Sequence, residues 1–342
     1  MYKRPLAAFY LEEPPPDSTA IRDLRRLPDR VPRAFSPELR LLIRSARERQ
    51  RWLREILPEI GHPAVDSVGS ATLAADSEGL AQRARALLGI REQEQQRWRD
   101  RWQALREWIE AIEDAGVFVF QSGAVEVSEM RGFALPDTLA PLITVNAKDA
   151  LSGRIFTALH EFVHILLGEE GISNLVLPDH PGGQADRIEA YCNAVAAETL
   201  VPGSWLRTAV DEQRIRSDLD GAIQYLCDLF KVSREVIARR LLHLDYIGRQ
   251  TYEAKRRQYQ QELEQAQRER EESRTTEEAF WLSPARRAIR DNGRAFARAA
   301  LAAYNQELIT PSELSRLLGA KLKHLTKIEE AAFSISRTRG RA

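Results

Sequence analysis

The apolar positions change their period along the 342 residues. From about residue 36 to Gly116 they recur every three to four positions, the spacing of amphipathic helices. "SPELRLLIRSARERQRWLREIL" reads as a helix with Ser36 as N-cap and Pro37 in its first turn. "DSEGLAQRARALLGI" reads as a second, and "EQEQQRWRDRWQALREWIEAIEDAG" as a third, long one that ends at Gly116. The period then shortens. "VFVFQSGAVEVSEMRGFAL" and "LAPLITVNA" carry β-branched and aromatic residues between Gly and Pro breaks, which predicts two or three short antiparallel strands. A helix over Gly153 to Gly168 follows at once. The loop "GISNLVLPDHPGGQAD" separates it from another, "RIEAYCNAVAAETLV", which Pro202 stops.

Beyond Pro202 the pattern is helical throughout. "IQYLCDLFKVSREVIARRLLHL" has a helix–turn–helix rhythm with its turn at Val232-Ser233. "YEAKRRQYQQELEQAQREREESRTTEEA" is a charged, solvated helix or connector. A last small helical unit begins at "PARRAIRDNG", and the tail "SRTRGRA" is basic. At the other end "LAAFYL" stops at "EEPPP", where three prolines favour an extended connector. The expected units are a leading segment and linker (1–35), a core with its leading helices (36–205), a helix-turn-helix-like unit (206–250) and a charged helix with a terminal helical unit (251–342).

Composition narrows the class. Lysine plus arginine and aspartate plus glutamate each number 50, so the whole chain has no electrostatic bias toward nucleic acid or anionic membrane. A nucleic-acid role would need a local basic patch. Cys192 and Cys227 lie in apolar, helix-like surroundings and read as reduced core thiols. No secretory h-region opens the sequence and no apolar run approaches a membrane span, so a cytoplasmic enzyme or regulator is expected.

The chemistry concentrates in "TALHEFVHILLGEE", Thr157 to Glu170. His160 and His164 are four apart, so on a helix they project from one face a turn apart and can reach one zinc ion. Glu161 is rotated off that axis and can take a proton from an attacking water. Phe162, Val163, Ile165, Leu166 and Leu167 supply the packing that holds the helix still. Two imidazoles and a carboxylate are costly to bury without a cation or other partners.

A catalytic zinc site needs a third protein ligand and an open position. No histidine occupies the place six residues after His164, where Glu170 stands instead. The next helix offers Asp186, Glu189 and Glu198. Glu189 shares a face with Asn193, alanines at 190, 194 and 197 allow close packing, and Glu198 lies more than two turns farther along. Glu189 is therefore the expected ligand.

With "FTALHEFVHILLG" followed by "EAYCNAVAAETLVP", the chain resembles the ImmA/IrrE family of metallo-endopeptidases. That family pairs HExxH with a downstream helix of the form E-x-x-A-N-x-F-A-A-x-L-L-x-P. Here Cys192 replaces the Ala and Val195 the Phe, while Glu189, Asn193, Ala196, Ala197, Leu200 and Pro202 match. "ITVNAKD" resembles the family's strand before the active-site helix. The resemblance covers roughly Gly116 to Pro202 most specifically. It implies that His160, His164 and Glu189 bind one zinc and that Glu161 is the catalytic base. It implies an α+β, mostly helical fold: a zincin-like core with a small antiparallel sheet, plus helical appendages. It also implies a protein substrate, an XRE-type helix-turn-helix repressor, whose cleavage would derepress a mobile element, a toxin–antitoxin locus or a stress response. Long members carry a full helix-turn-helix before a Pro-rich connector. "YKRPLAAFYLEEPPP" resembles only the end of such a domain and its linker.

Other residues invite weaker readings. Arg234, Arg239 and Arg240 would suit phosphate contacts if the 206–250 unit read DNA, although packing or substrate docking is the plainer role. Arg286, Arg290, Arg294 and Arg298 would form a basic stripe on one continuous helix, but Asn292-Gly293 favours a turn. His180, Tyr191, His243 and Tyr246 are candidate oxyanion stabilisers. His62 and His324 acquire no role. The competing class is a non-enzymatic regulator or DNA-binding protein with a structural or vestigial zinc site, marked by a fourth protein ligand.

Overall fold

The computed structural model describes residues 35–173, 184–272 and 283–334. The expected helix-end and Pro-rich linker at the start, His180 and the basic tail lie outside the described residues. The first helix, α1 (Pro37–Glu59), begins where the sequence places it: Ser36 Oγ accepts the Leu39 N–H at 3.1 Å and Pro37 fills the first turn. Next come α2 (Ser77–Leu88), α3 (Glu92–Arg97) and α4 (Arg101–Asp114).

The third expected helix is thus two. Asp100 caps α4 by accepting the Gln103 N–H at 2.8 Å. Trp98, extended between the helices, is buried edge-on against Trp108 with ring centroids 5.6 Å apart. Gln95 on α3 donates to the carbonyls of Leu200 and Phe230. These long-range contacts outweigh the local helical periodicity.

The strands are β1 (Phe118–Ser122), β2 (Gly132–Leu135), β3 (Leu142–Asn146) and β4 (Gly171–Ser173), and α5 (Leu151–Leu167) runs between the last two. The sheet order is β1-β3-β2-β4. β2 pairs antiparallel with both β3 and β4, but β1 pairs parallel with β3, so the sheet is mixed rather than wholly antiparallel. The β2–β3 hairpin turns back so that β3, not β2, lies beside β1.

Alternation along the strands divides two cores. Val119, Ala134, Ile143 and Val145 face a cluster shared with α4 and α5. Phe118, Phe120, Phe133, Leu135 and Leu142 face the other side and meet Leu39, Ile43, Leu53 and Leu57 of α1. A sheet buried on both faces reads as near-continuous apolar runs, as these strands do.

The chain continues through α6 (Gln184–Leu200), α7 (Gly203–Ala209), α8 (Glu212–Ser217), α9 (Leu219–Phe230), α10 (Arg234–His243) and α11 (Arg249–Glu272). It ends in α12 (Pro284–Asn292), α13 (Arg294–Asn305), α14 (Pro311–Leu318) and α15 (Leu325–Phe333). Phe296 and Ala299 of α13 complete the second core, with Phe296 edge-on to both Trp52 and Phe120. Among the described residues, no helix is long and apolar enough to cross a membrane.

Candidate metal centre

The β3–α5 connection aims the site. Asn146 is fully buried, and its amide donates to the carbonyls of Val125 and Met130 while its oxygen accepts the Lys148 N–H. These bonds fix the turn into α5. At the far end Gly168 adopts the left-handed conformation, φ +69°, that closes the helix. Twelve of the seventeen residues between these stops are buried, which is why α5 reads as apolar almost all round.

His160, Glu161 and His164 are completely buried on α5. Their Nε2 atoms, His160 to His164, stand 3.1 Å apart. Glu189, one turn into α6, places Oε1 3.1 Å from His164 Nε2 and Oε2 3.3 Å from His160 Nε2. Ala196, Cys192 and Val195 are buried on α6, so little bulk separates the two helices. Burial alone would raise the Glu189 carboxyl, but His160 and then His164 outweigh it and hold it at about 2. Burial lowers the His164 pKa against the pull of Glu189. The two shifts oppose each other as an ion pair, and we read the pair as an ionised Glu189 with a neutral His164, because desolvation penalises the imidazolium most.

That protonation state suits a cation. Ligands bonded to tetrahedral zinc at about 2.0–2.1 Å lie about 3.4 Å from one another. The three donor atoms here are spaced at 3.1–3.3 Å, and the donor set of two imidazoles and one carboxylate is that of catalytic zinc sites. Among the described residues no fourth His, Cys, Asp or Glu joins the group. His164 Nδ1 makes no hydrogen bond among the described residues, so packing and Glu189 orient that ring.

Of the rival acidic residues, Glu198 accepts the Gly203 N–H at 2.7 Å and pairs with Arg240, a structural tie at the other end of α6. Asp186 is buried in the first turn of α6 outside the converging group. Tyr191 donates its hydroxyl to the Ala75 carbonyl at 2.9 Å, which ties α6 to the start of α2. His243 closes α10, and Tyr246 packs against the main core.

The helix-turn-helix-like arginines are engaged within the fold. Arg234 pairs with Glu262 of α11 and lies over Tyr259, Arg239 pairs with Glu235, and Arg240 donates to the Val201 carbonyl. The basic stripe is broken at Gly293, where φ is +77°, and Arg294 turns to Glu110 while Arg298 donates to the Ala332 carbonyl.

Sequence reasoning missed Gly132. A Cβ built there would stand 2.5 Å from Thr157 Cγ2 and 2.9 Å from Glu161 Oε1. The available signal was a glycine inside a strand, which marks a close approach of another group.

Residues 112–242 match the family model described as Peptidase M78, IrrE N-terminal-like domain. No curated protein matches the chain. A solved structure, a Mycobacterium tuberculosis transcriptional regulator, is 19% identical over 57% of this chain with a TM-score of 0.34. The alignment spans 51% of that protein, about half its length. The matched family segment runs from the end of α4 to the end of α10 and contains all four strands and both helices of the histidine–glutamate cluster. Residues 112–242 match an IrrE N-terminal-like domain, which supports the resemblance to the ImmA/IrrE family that the motifs carry.

Proposed function

We propose that the protein is a zinc-dependent endopeptidase. The observation that carries this is the convergence of His160, His164 and Glu189 from two packed helices, with no fourth protein ligand among the described residues. An open position is what separates a catalytic zinc site from a structural one. Zinc held there would supply Lewis acidity, polarising the scissile carbonyl and acidifying the attacking water. Glu161 takes the proton from that water as its oxygen bonds to the carbonyl carbon. It then delivers the proton to the departing amine as the C–N bond breaks. β4 lies at the edge of the sheet, and an extended substrate would add along it as a further strand.

The substrate class follows from the resemblance: a helix-turn-helix repressor of the XRE type, cleaved in the cytoplasm to release a repressed locus. Both cysteines are buried and unpaired, in keeping with a reducing compartment. The test is metal content of the purified protein beside Glu189→Ala. About one zinc per chain, lost or weakened in the variant, is the expected result. A wild-type protein that neither contains nor takes up zinc would remove the enzymatic reading.

A further inference from the structure

The arginines of α10 are committed inside the fold and α11 packs along that helix, yet a second helix–turn–helix corner lies near the end of the described chain. α14 starts with a reciprocal cap, in which Thr310 Oγ1 accepts the Glu313 N–H and the Glu313 carboxylate accepts from Thr310. It stops at Gly319, φ +61°, and a single 3-10 turn at Leu322–His324 leads into α15. A short turn containing glycine between two helices is the connection that DNA-reading units use. α14 contributes Leu314 and Leu318 to the local core and α15 contributes Ile328 and Ala332, so the two helices are held on α12 and α13 by one face each.

The connection between them, with the helix ends beside it, is basic. Arg316, Lys321, Lys323 and Lys327 are all exposed, and none forms an ion pair among the described residues. They fall within twelve residues of chain around one turn. Exposed Thr326 lies among them, while Glu313 is taken up by its cap and Glu329 and Glu330 follow in the next turn of α15. From residue 316 to 334 the described chain has four basic residues and two acidic ones, in a chain whose total charge is zero. A local excess of this kind, on a corner with unpaired cations, is complementary to a polyanion rather than to an ordinary protein surface.

We propose that the α14–turn–α15 corner docks on double-stranded DNA, gripping the phosphate backbone through Arg316, Lys321, Lys323 and Lys327. The helix–turn–helix arrangement favours a duplex over other polyanions, because the cations cluster within one short stretch of chain, from the last turn of α14 to the first turn of α15. Backbone contacts of this kind position a protein without specifying sequence. The inference does not depend on the metal centre.

The experiment is fluorescence anisotropy of the full chain with a labelled random-sequence duplex of about 24 base pairs, across about 50–200 mM salt. Each neutralised phosphate contributes about 0.9 to the slope of log affinity against log salt, so four contacts predict about a hundredfold loss across that range. Replacing Lys321, Lys323 and Lys327 together by Ala should make the slope shallower by about 2.7 and weaken binding at low salt by about tenfold or more. Arg234→Ala should leave the slope unchanged. No binding at low salt would overturn the proposal, as would an unaltered slope in the triple variant. Polyglutamate competing as well as unlabelled duplex would also overturn it, in favour of an acidic polypeptide partner.

Discussion

Gly132 and Glu161 lie so close that no side chain fits between the β2 backbone and the catalytic-base candidate. A Cβ on Gly132 would meet Glu161 Oε1 at 2.9 Å and Thr157 Cγ2 at 2.5 Å. Real Cβ contacts do not occur at such distances with a buried neighbour, so something must move, and the carboxylate is the movable group. Gly132→Ala should therefore keep its metal but lose about 10- to 100-fold in kcat through misplacement of the base. Adding Thr157→Ser removes the nearest methyl and should recover part of the loss. Steady-state kinetics with parallel metal analysis checks this; wild-type kcat in the single variant would sink the idea.

Glu161→Gln keeps the volume and removes the proton acceptor. Zinc content should stay near that of wild type, and cleavage should fall by about 10²–10⁴, the usual worth of a positioned acid–base group. Product analysis by mass spectrometry with a candidate XRE-type repressor reads the result. Undiminished proteolysis would mean that another group handles the proton.

Glu113 ties α4 to the start of α13, where its Oε2 accepts the Arg294 N–H at 3.1 Å. Burial pushes its carboxyl up to about 8, against the helix-end N–H groups of Ala295 and Arg294. A raised acid pKa means that the folded chain holds a proton the unfolded chain has released. Stability from this group is complete below about pH 4.5 and is lost as pH rises through about 8. Glu113→Gln retains the acceptor without the charge, so its melting temperature should decline less than that of wild type between pH 5 and pH 8. Parallel thermal melts across that range test it; identical pH profiles would show that Glu113 titrates as an ordinary carboxylate.

Arg85 is a buried brace behind α6. It donates to Gln95 Oε1 and to the carbonyls of Thr199 and Ile90, and its guanidinium lies 4.1 Å from the Trp205 ring centroid. Arg85→Met would leave those acceptors unsatisfied, at about 1–3 kcal/mol for each buried group so exposed to loss. The variant should melt well below wild type and bind zinc more weakly, because the same helix carries Glu189. Chemical denaturation with a zinc titration measures both; an unchanged midpoint would show that water replaces the guanidinium.

What the sequence disclosed was what local chemistry encodes. Ser36 and Pro37 start α1, Gly168 stops α5, and the four-residue spacing of His160 and His164 fixes their shared face. That Glu189 would meet the two histidines was legible because helix spacing and small neighbours single it out among three acids. The pairing of β1 with β3 was not, since parallel partners are chosen by the β2–β3 turn and by packing on both sheet faces. Nor was the break between α3 and α4, which depends on Trp98 meeting Trp108 and on Gln95 reaching carbonyls more than a hundred residues away. Gly132 carried its meaning only once α5 was laid against the strand.

The sheet's aromatic face is closed from both directions of the chain, by α1 from before the strands and by Phe296 from far beyond them. This imposes a schedule on biosynthesis. Phe118, Phe120 and Phe133 emerge from the ribosome with α1 already made, but α13 is complete only roughly 160 residues after β3. At about 5–20 residues per second, the nascent protein carries a half-covered aromatic surface for roughly 10–30 s. A chain released before α13 would keep that surface bare, so ribosome stalling or premature stops between the ends of α6 and α12 should yield a sticky, chaperone-bound species even though every residue of the candidate metal centre has been translated.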